Sequence, residues 1–247
     1  MAVAIGVAAA AAGGCAGIDV WLSSRAAAGT DTAQQLAPLF SYIGVGRAYV
    51  LARALGLTAL LCSALAVAAG LLATRRPSPL RRTHRALSLV TIVLVAAHAT
   101  TPYAGVFPPF GGWATATVPF AQPYSWGTTA TWAESIGIIA LYVMVLMGPT
   151  YYLAGRWRHG WVVAHRLALG TYVLAVVHTL VLGSDFLVRG SLRVTLIGAQ
   201  VPLLVLLARR VPHRASAAVW LLALVVAGLA VAGAAGAPLG GFALHGA

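Results

Sequence analysis

Apolar residues run along this chain in long unbroken stretches, separated by short polar breaks. A helix that crosses the hydrocarbon of a bilayer needs about 20 mostly apolar residues. Seven stretches meet that pattern: 2–18, 50–74, 84–104, 133–154, 161–183, 192–208 and 217–237. The first is rich in Ala and Gly and only weakly hydrophobic; the sixth is short and holds Pro202. Apolar positions are continuous rather than alternating, which predicts helices and not a β-barrel. The expected fold is all-α: a polytopic membrane helix bundle of about seven spans, forming one domain over residues 1–247.

Composition narrows the class further. Of 247 residues, 60% are hydrophobic and 8% charged, against about 25% charged in a soluble domain. The mean hydropathy is +0.89. Too few charges remain to coat a soluble surface, so a soluble enzyme and a disordered chain are both excluded. The lipid bilayer is the expected partner. Cys15 and Cys62 lie in apolar stretches with no disulfide or zinc spacing and read as small buried hydrophobes.

The net charge of +12 does not point to nucleic acid. All sixteen basic residues are Arg, and they cluster in runs between apolar segments. That pattern orients a membrane protein. Eleven fall in three connections: Arg75, Arg76, Arg81, Arg82 and Arg85; Arg156, Arg158 and Arg166; Arg209, Arg210 and Arg214. The positive-inside rule puts these in the cytoplasm of a plasma-membrane protein, with the N-terminus inside and the C-terminus outside. The outer connection 105–132 has no charged residue and carries Phe107, Phe110, Trp113, Phe120, Tyr124, Trp126 and Trp132. It reads as an interfacial aromatic belt, or as a lid over an outer site.

Four of the seven histidines lie within two spans: His84 and His98 in the third, His165 and His178 in the fifth, at spacings of 14 and 13. Ionisable side chains inside a bilayer are costly and usually functional. At about 1.5 Å per residue each pair spans about 20 Å. The third and fifth spans run in the same direction, so His84 can face His165 at one depth and His98 can face His178 at the other. Two neutral nitrogen ligands per level fit a planar metal macrocycle, giving bis-His haem ligation stacked twice across the membrane. Zinc fits poorly, because it wants four ligands converging at one point. Azimuth gives a finer expectation. Fourteen residues return to within about 40° of the starting face, but thirteen end about 140° away. A local distortion of the fifth span between His165 and His178 is therefore expected, with Gly170 permitting irregularity or close approach.

Arg82, Arg85 and Arg166 flank the inner histidines and suit haem propionates, since Arg makes bidentate carboxylate contacts. Positive-inside topology alone also accounts for them. Arg53 lies at the outer end of an apolar run; an outer propionate or an anionic acceptor explains it, as does snorkelling. Glu134 and Asp185 read as polar anchors, and Met144 and Met147 as packing residues.

These residues resemble the ferric-reductase-like transmembrane domain, the membrane part shared by ferric reductases and NADPH oxidases. The likeness rests on the histidine quartet, on Arg82-Thr83-His84-Arg85, on Trp161-Val162-Val163-Ala164-His165-Arg166-Leu167 and on Gly183-Ser184-Asp185. Tyr49-Val50-Leu51-Ala52-Arg53-Ala54-Leu55-Gly56-Leu57 is similar to the start of the second span in actinobacterial members. The resemblance covers residues 45–210. It implies a six-helix core holding two b-type haems, with electrons passing from the cytoplasmic side to an outer acceptor. Residues 211–247 then form an extra C-terminal helix and tail. The family's flavin and nicotinamide domains have no counterpart in this sequence, which has neither a GxGxxG after a strand nor a P-loop. No FAD or NAD(P)H site is expected, so the donor is a separate flavoprotein or a membrane quinol.

The expected function is transmembrane electron transfer by two haem b groups, ligated by His84 with His165 and by His98 with His178. Such a chain is expected to act as a haem-dependent, ferric-reductase-like oxidoreductase that needs a separate electron donor. Candidate acceptors are a ferric chelate, oxygen, a quinone or a protein; the uncharged outer loop argues against a bare ferric ion site. One alternative is a haem-bearing anchor that docks a flavoprotein dehydrogenase. Another is a proton-coupled transporter using membrane histidines, although no matched halves are evident.

Overall fold

Small residues recur on one face of the first helix, α1 (Gly46–Leu72). Ala52, Gly56, Ala59, Ser63, Ala66 and Gly70 follow a four-then-three spacing. Small side chains let two membrane helices approach closely, where lipid removes any hydrophobic drive to associate. The partner is α2 (Pro79–Thr100), which packs along the length of α1. Leu87, Val90 and Leu94 of α2 meet Ala59, Cys62 and Ala66 of α1 in a buried cluster.

The computed structural model describes residues 46–73, 79–101, 117–121, 127–153, 158–182 and 190–234, with single positions at 6, 13, 17, 114 and 156. The expected span 2–18 with Cys15, most of the aromatic outer connection, Arg75, Arg76, Asp185 and the Gly183-Ser184-Asp185 motif lie outside the described residues.

A second close hairpin is made by α3 (Gly127–Leu153) and α4 (Arg158–Leu182). The two hairpins touch only sparsely, α1 against α4 and α2 against α3. Leu60 of α1 meets Tyr172 and Val176 of α4, with Leu196 and Leu203 beside them. These last two belong to α5 (Gly190–Gly198) and α6 (Gln200–Ala208). The two segments form one rod, since Ala199 is helical and its N–H donates to the Thr195 carbonyl at 2.9 Å. The break has a cause in Pro202, which has no N–H to offer the Gly198 carbonyl. The last helix, α7 (His213–Ala234), packs against this rod.

The protein is all-α among the described residues, and three helices are long and apolar enough to cross a membrane: Leu51–Leu72, Pro79–Thr100 and His159–Val181. Apolar stretches at Thr131–Met147, Val194–Ala208 and Ser216–Gly228 are shorter. Outward faces carry Leu61, Leu65, Leu89, Val93, Leu167, Val173, Leu221 and Leu224. So much exposed aliphatic surface suits lipid, and the protein is a multi-pass membrane protein. Hydroxyls within the helices are satisfied locally. Thr58, Thr91, Ser88, Thr171 and Thr179 each donate to the carbonyl four residues earlier. In lipid no water serves them, so this local bond is the available one.

Two arginine groups expected in loops are helical instead. The second helix starts at Pro79, because proline's preset φ and missing N–H suit the first helical position. Arg81, Arg82 and Arg85 therefore stand exposed on the opening turns of α2, and Arg166 is exposed two turns into α4. Arg210, after α6, donates from Nη2 to the Ala73 carbonyl at 2.9 Å, past the end of α1. A cation at a helix C-terminus meets unsatisfied carbonyls and the negative end of the dipole. This bond also places Arg210 on the same side of the bundle as the start of α2.

A short piece of the outer connection packs back on α3. Phe120 has a left-handed backbone (φ 65), uncommon for a bulky residue. Its N–H donates to Ser135 Oγ at 2.8 Å, its ring meets Trp132 edge-on at 4.8 Å, and Tyr142 donates to the Thr117 carbonyl. Ser135 is fully buried and itself donates to the Thr131 carbonyl. Replacing Ser135 by Ala orphans the Phe120 N–H. The expected loss is about 1–3 kcal/mol, read as a lower unfolding midpoint in detergent, while Ser135→Thr retains most of the stability.

Candidate histidine site between the two hairpins

Helix α2 presents His84 and His98, and both rings sit against α1 in the same way. His84 Nδ1 lies 2.7 Å from the Ala66 carbonyl oxygen, and His98 Nδ1 lies 2.7 Å from that of Ala52. On α4, His178 Nδ1 lies 2.8 Å from the Ala133 carbonyl of α3. A carbonyl oxygen only accepts, so each of these three rings donates from Nδ1. In the neutral imidazole, Nε2 then holds an unshared lone pair, the state of a metal-ligating histidine.

Each seat has a second component. Four residues after each carbonyl stands a glycine: Gly70 after Ala66, Gly56 after Ala52, Gly137 after Ala133. A methyl group on Gly70 would lie 3.1 Å from His84 Nδ1, on Gly56 2.9 Å from His98 Nδ1, and on Gly137 2.6 Å from His178 Nδ1. The side chain at i+4 is the natural neighbour of the carbonyl at i, as the threonine and serine bonds of these helices demonstrate. Glycine leaves that place empty, and an imidazole from the facing helix fills it.

The fourth histidine is seated differently. His165 is exposed and its ring stacks on Trp161, one turn earlier, at 5.0 Å and 12°. It meets His84 at 5.7 Å between ring centroids, nearly perpendicular at 87°. Among the described residues its ring makes no hydrogen bond. The expected distortion of α4 is absent: the helix runs unbroken in α conformation from Arg158 to Leu182. Gly170 is exposed and has nothing within 4 Å of a built methyl group, so it serves no close approach. Instead, the 13-residue spacing turns His165 away from the azimuth of His178, and each ring finds different neighbours.

Of the four rings, His84 and His165 are in direct contact. His165 interacts electrostatically with His84, and His98 with His178. The helices that carry them, α2 and α4, share no extended contact with each other. At the level of His84 and His165 imidazoles, rather than packed helix surfaces, bridge the interior. No group of three or more His, Cys, Asp or Glu side chains gathers to hold a metal among the described residues. Among the described residues, His84 and His165 bring two ring nitrogen donors together at one level.

The flanking residues divide by depth. Arg82 and Arg85 are exposed beside His84, and Arg166 beside His165. Arg53 is half-buried and follows Ala52, whose carbonyl seats His98, so it belongs to the level of His98. Glu134, expected as a polar anchor, is half-buried and interacts electrostatically with His98. Phe120 lies against Ser135 and Trp132 on the side of α3 opposite Ala133 and Gly137, so this part of the outer connection does not cover His178. The glycines went unread in the sequence, yet a signal existed. Gly56 and Gly70 are 14 apart, the same interval as His84 and His98, on the preceding span. Comparison with protein-family models, curated proteins and solved structures finds no match.

Methyl groups at the seats are expected to cost stability in the order of their clashes: Gly137→Ala most, Gly56→Ala next, Gly70→Ala least. Overpacking of this kind costs about 1–3 kcal/mol. Gly170→Ala should change the unfolding midpoint little or raise it, since Ala favours helix over Gly by up to about 1 kcal/mol. Equal losses at Gly170 and Gly137 in a detergent melt would contradict the steric account.

Proposed function

We propose that this chain is a transmembrane electron-transfer protein that carries two haem b groups. His84 and His165 hold one at the inner level, and His98 and His178 hold the other at the outer level. One observation carries the reading: paired histidines at two depths, three of them donating from Nδ1 to a helix carbonyl and so offering Nε2 to a metal. Metal–imidazole bonds are about 2 Å long. His84 and His165 would hold such a metal between their rings, whose centres stand 5.7 Å apart. A pair of nitrogen donors would suit a metal macrocycle that brings further ligands of its own.

When bound, haem supplies reversible one-electron chemistry at iron. The chain supplies position and medium. Carbonyl bonds hold the imidazoles in one tautomer and raise their basicity as ligands. Apolar helices carry these rings and form low-dielectric surroundings for them. Arg82, Arg85 and Arg166 stand where inner carboxylates would be met, and Arg53 does so at the outer level. The fold proposed is a six-helix ferric-reductase-like core with one further C-terminal helix, oriented with its arginine-rich connections in the cytoplasm. Electrons enter at the inner pair from a separate flavoprotein or quinol and leave at the outer pair. Exposure of Arg81, Arg82, Arg85 and Arg166 on one rim favours docking of a separate, acidic donor there.

The test is a reduced-minus-oxidised absorbance spectrum of the purified protein with haem quantitation. Two b-type haems per chain are expected. His98→Ala and His178→Ala should each disturb the same haem and spare the other, with His84→Ala and His165→Ala forming the complementary set. Absence of haem from correctly folded protein, or loss of different haems by His98→Ala and His178→Ala, defeats the proposal.

A further inference from the structure

A piece of the connection between α2 and α3, residues 117–121, lies against α3 on the side opposite Ala133 and Gly137. Its backbone donors are all placed. The Val118 N–H donates to the Ala114 carbonyl at 2.9 Å, the Phe120 N–H to Ser135 Oγ at 2.8 Å, and the Ala121 N–H to the Val118 carbonyl at 3.2 Å. Pro119 has no N–H. The Thr117 carbonyl accepts from the Tyr142 hydroxyl. In water, solvent serves the donors of a loop. In hydrocarbon, irregular backbone is tolerated only where protein satisfies it.

Depth along α3 points to the same medium. The apolar stretch of α3 begins at Thr131, and α3 packs along α4, a helix long enough to cross a membrane. Ser135 and Tyr142 stand four and eleven residues past Thr131, or about 6 and 16 Å along the helix, within a hydrocarbon layer about 30 Å thick. Long helical side chains lean toward the helix N-terminus, so the Thr117 carbonyl that meets Tyr142 lies between those two depths. Trp132, whose ring meets Phe120 at 4.8 Å, stands at the boundary level that tryptophan favours. The chain thus rises from Thr117 toward Trp132. Val118 and Phe120 are 49% and 50% exposed, and they continue the lipid-facing surface of Ile139, Val145 and Leu146. No charged residue lies anywhere from 105 to 132.

We propose that residues 117–121 lie below the membrane surface, packed among the acyl chains of the bilayer, with Val118 and Phe120 facing lipid. Ser135 and Tyr142 are the positioning residues that hold the segment at that depth. The inference is independent of the di-haem reading.

The experiment uses the full chain with Cys15→Ala and Cys62→Ala, reconstituted in phosphatidylcholine vesicles and carrying a nitroxide at Val118→Cys. Electron paramagnetic resonance measures collisions with oxygen, which concentrates in hydrocarbon, and with a water-soluble nickel chelate. A label at Leu146→Cys gives the lipid reference, and one at Arg209→Cys the aqueous reference. The Val118 label is expected to match Leu146 in its ratio of oxygen to nickel collisions. Ser135→Ala with Tyr142→Phe should shift that ratio toward the value at Arg209. Where the cysteine-free background does not fold, the unaltered chain is photolysed with phosphatidylcholine bearing a diazirine in mid-chain. Adducts at Val118 or Phe120, located by mass spectrometry, are then expected. A ratio matching Arg209 overturns the proposal in favour of an aqueous loop. Shielding from both reagents overturns it in favour of a covering protein surface, and the absence of adducts at 117–121 overturns it as well. An unshifted ratio in the double variant overturns the role of Ser135 and Tyr142.

Discussion

A bond between an imidazole N–H and the carbonyl of a facing helix governs the interior of this protein. A helical carbonyl already accepts from the N–H four residues on, and its second lone pair lies beside the side chain at that same position. Within these helices a threonine or serine hydroxyl commonly takes it. At Ala52, Ala66 and Ala133 the residue four places on is glycine, and a histidine from the next helix takes the lone pair instead. In lipid an unpaired imidazole N–H has no water to turn to, so the bond fixes both the ring's tautomer and its direction.

That arrangement accounts for the packing around it. The stripe of small residues on α1 brings α2 close enough for the rings of His84 and His98 to reach α1's backbone. The hairpins are tight inside and loose against each other, with α2 and α4 joined across the interior by side chains rather than by ridges and grooves. A four-helix core with an aliphatic centre would close that space. Here histidine rings from α2 and α4 meet between the hairpins.

The inner and outer levels also meet different surroundings. At the level of His98 and His178, Arg53 and Glu134 lie near locked rings. At the level of His84 and His165, exposed arginines flank one locked ring and one that rests on tryptophan. Spacing is the physical source of this difference. Fourteen residues bring a helix back to nearly the same face, and thirteen do not. The helix α4 stays regular and accepts the mismatch, where a bend or a tighter turn was the alternative.

Much was legible in the chain before folding. Long apolar runs determined an all-helical membrane protein, because lipid leaves backbone polar groups no partner but their own helix. The intervals of 14 and 13 determined that four histidines divide into two depths, since rise per residue is constant. Only the tertiary structure decided what each ring touches. Azimuth depends on the partner helix, so the glycine seats, the exposure of His165 and the idleness of Gly170 waited on how the hairpins dock. The helical start at Pro79 was a local matter, but the tie from Arg210 to Ala73 was not. It joins residues 137 apart in sequence, and no local pattern specifies which distant carbonyl a surface arginine will find.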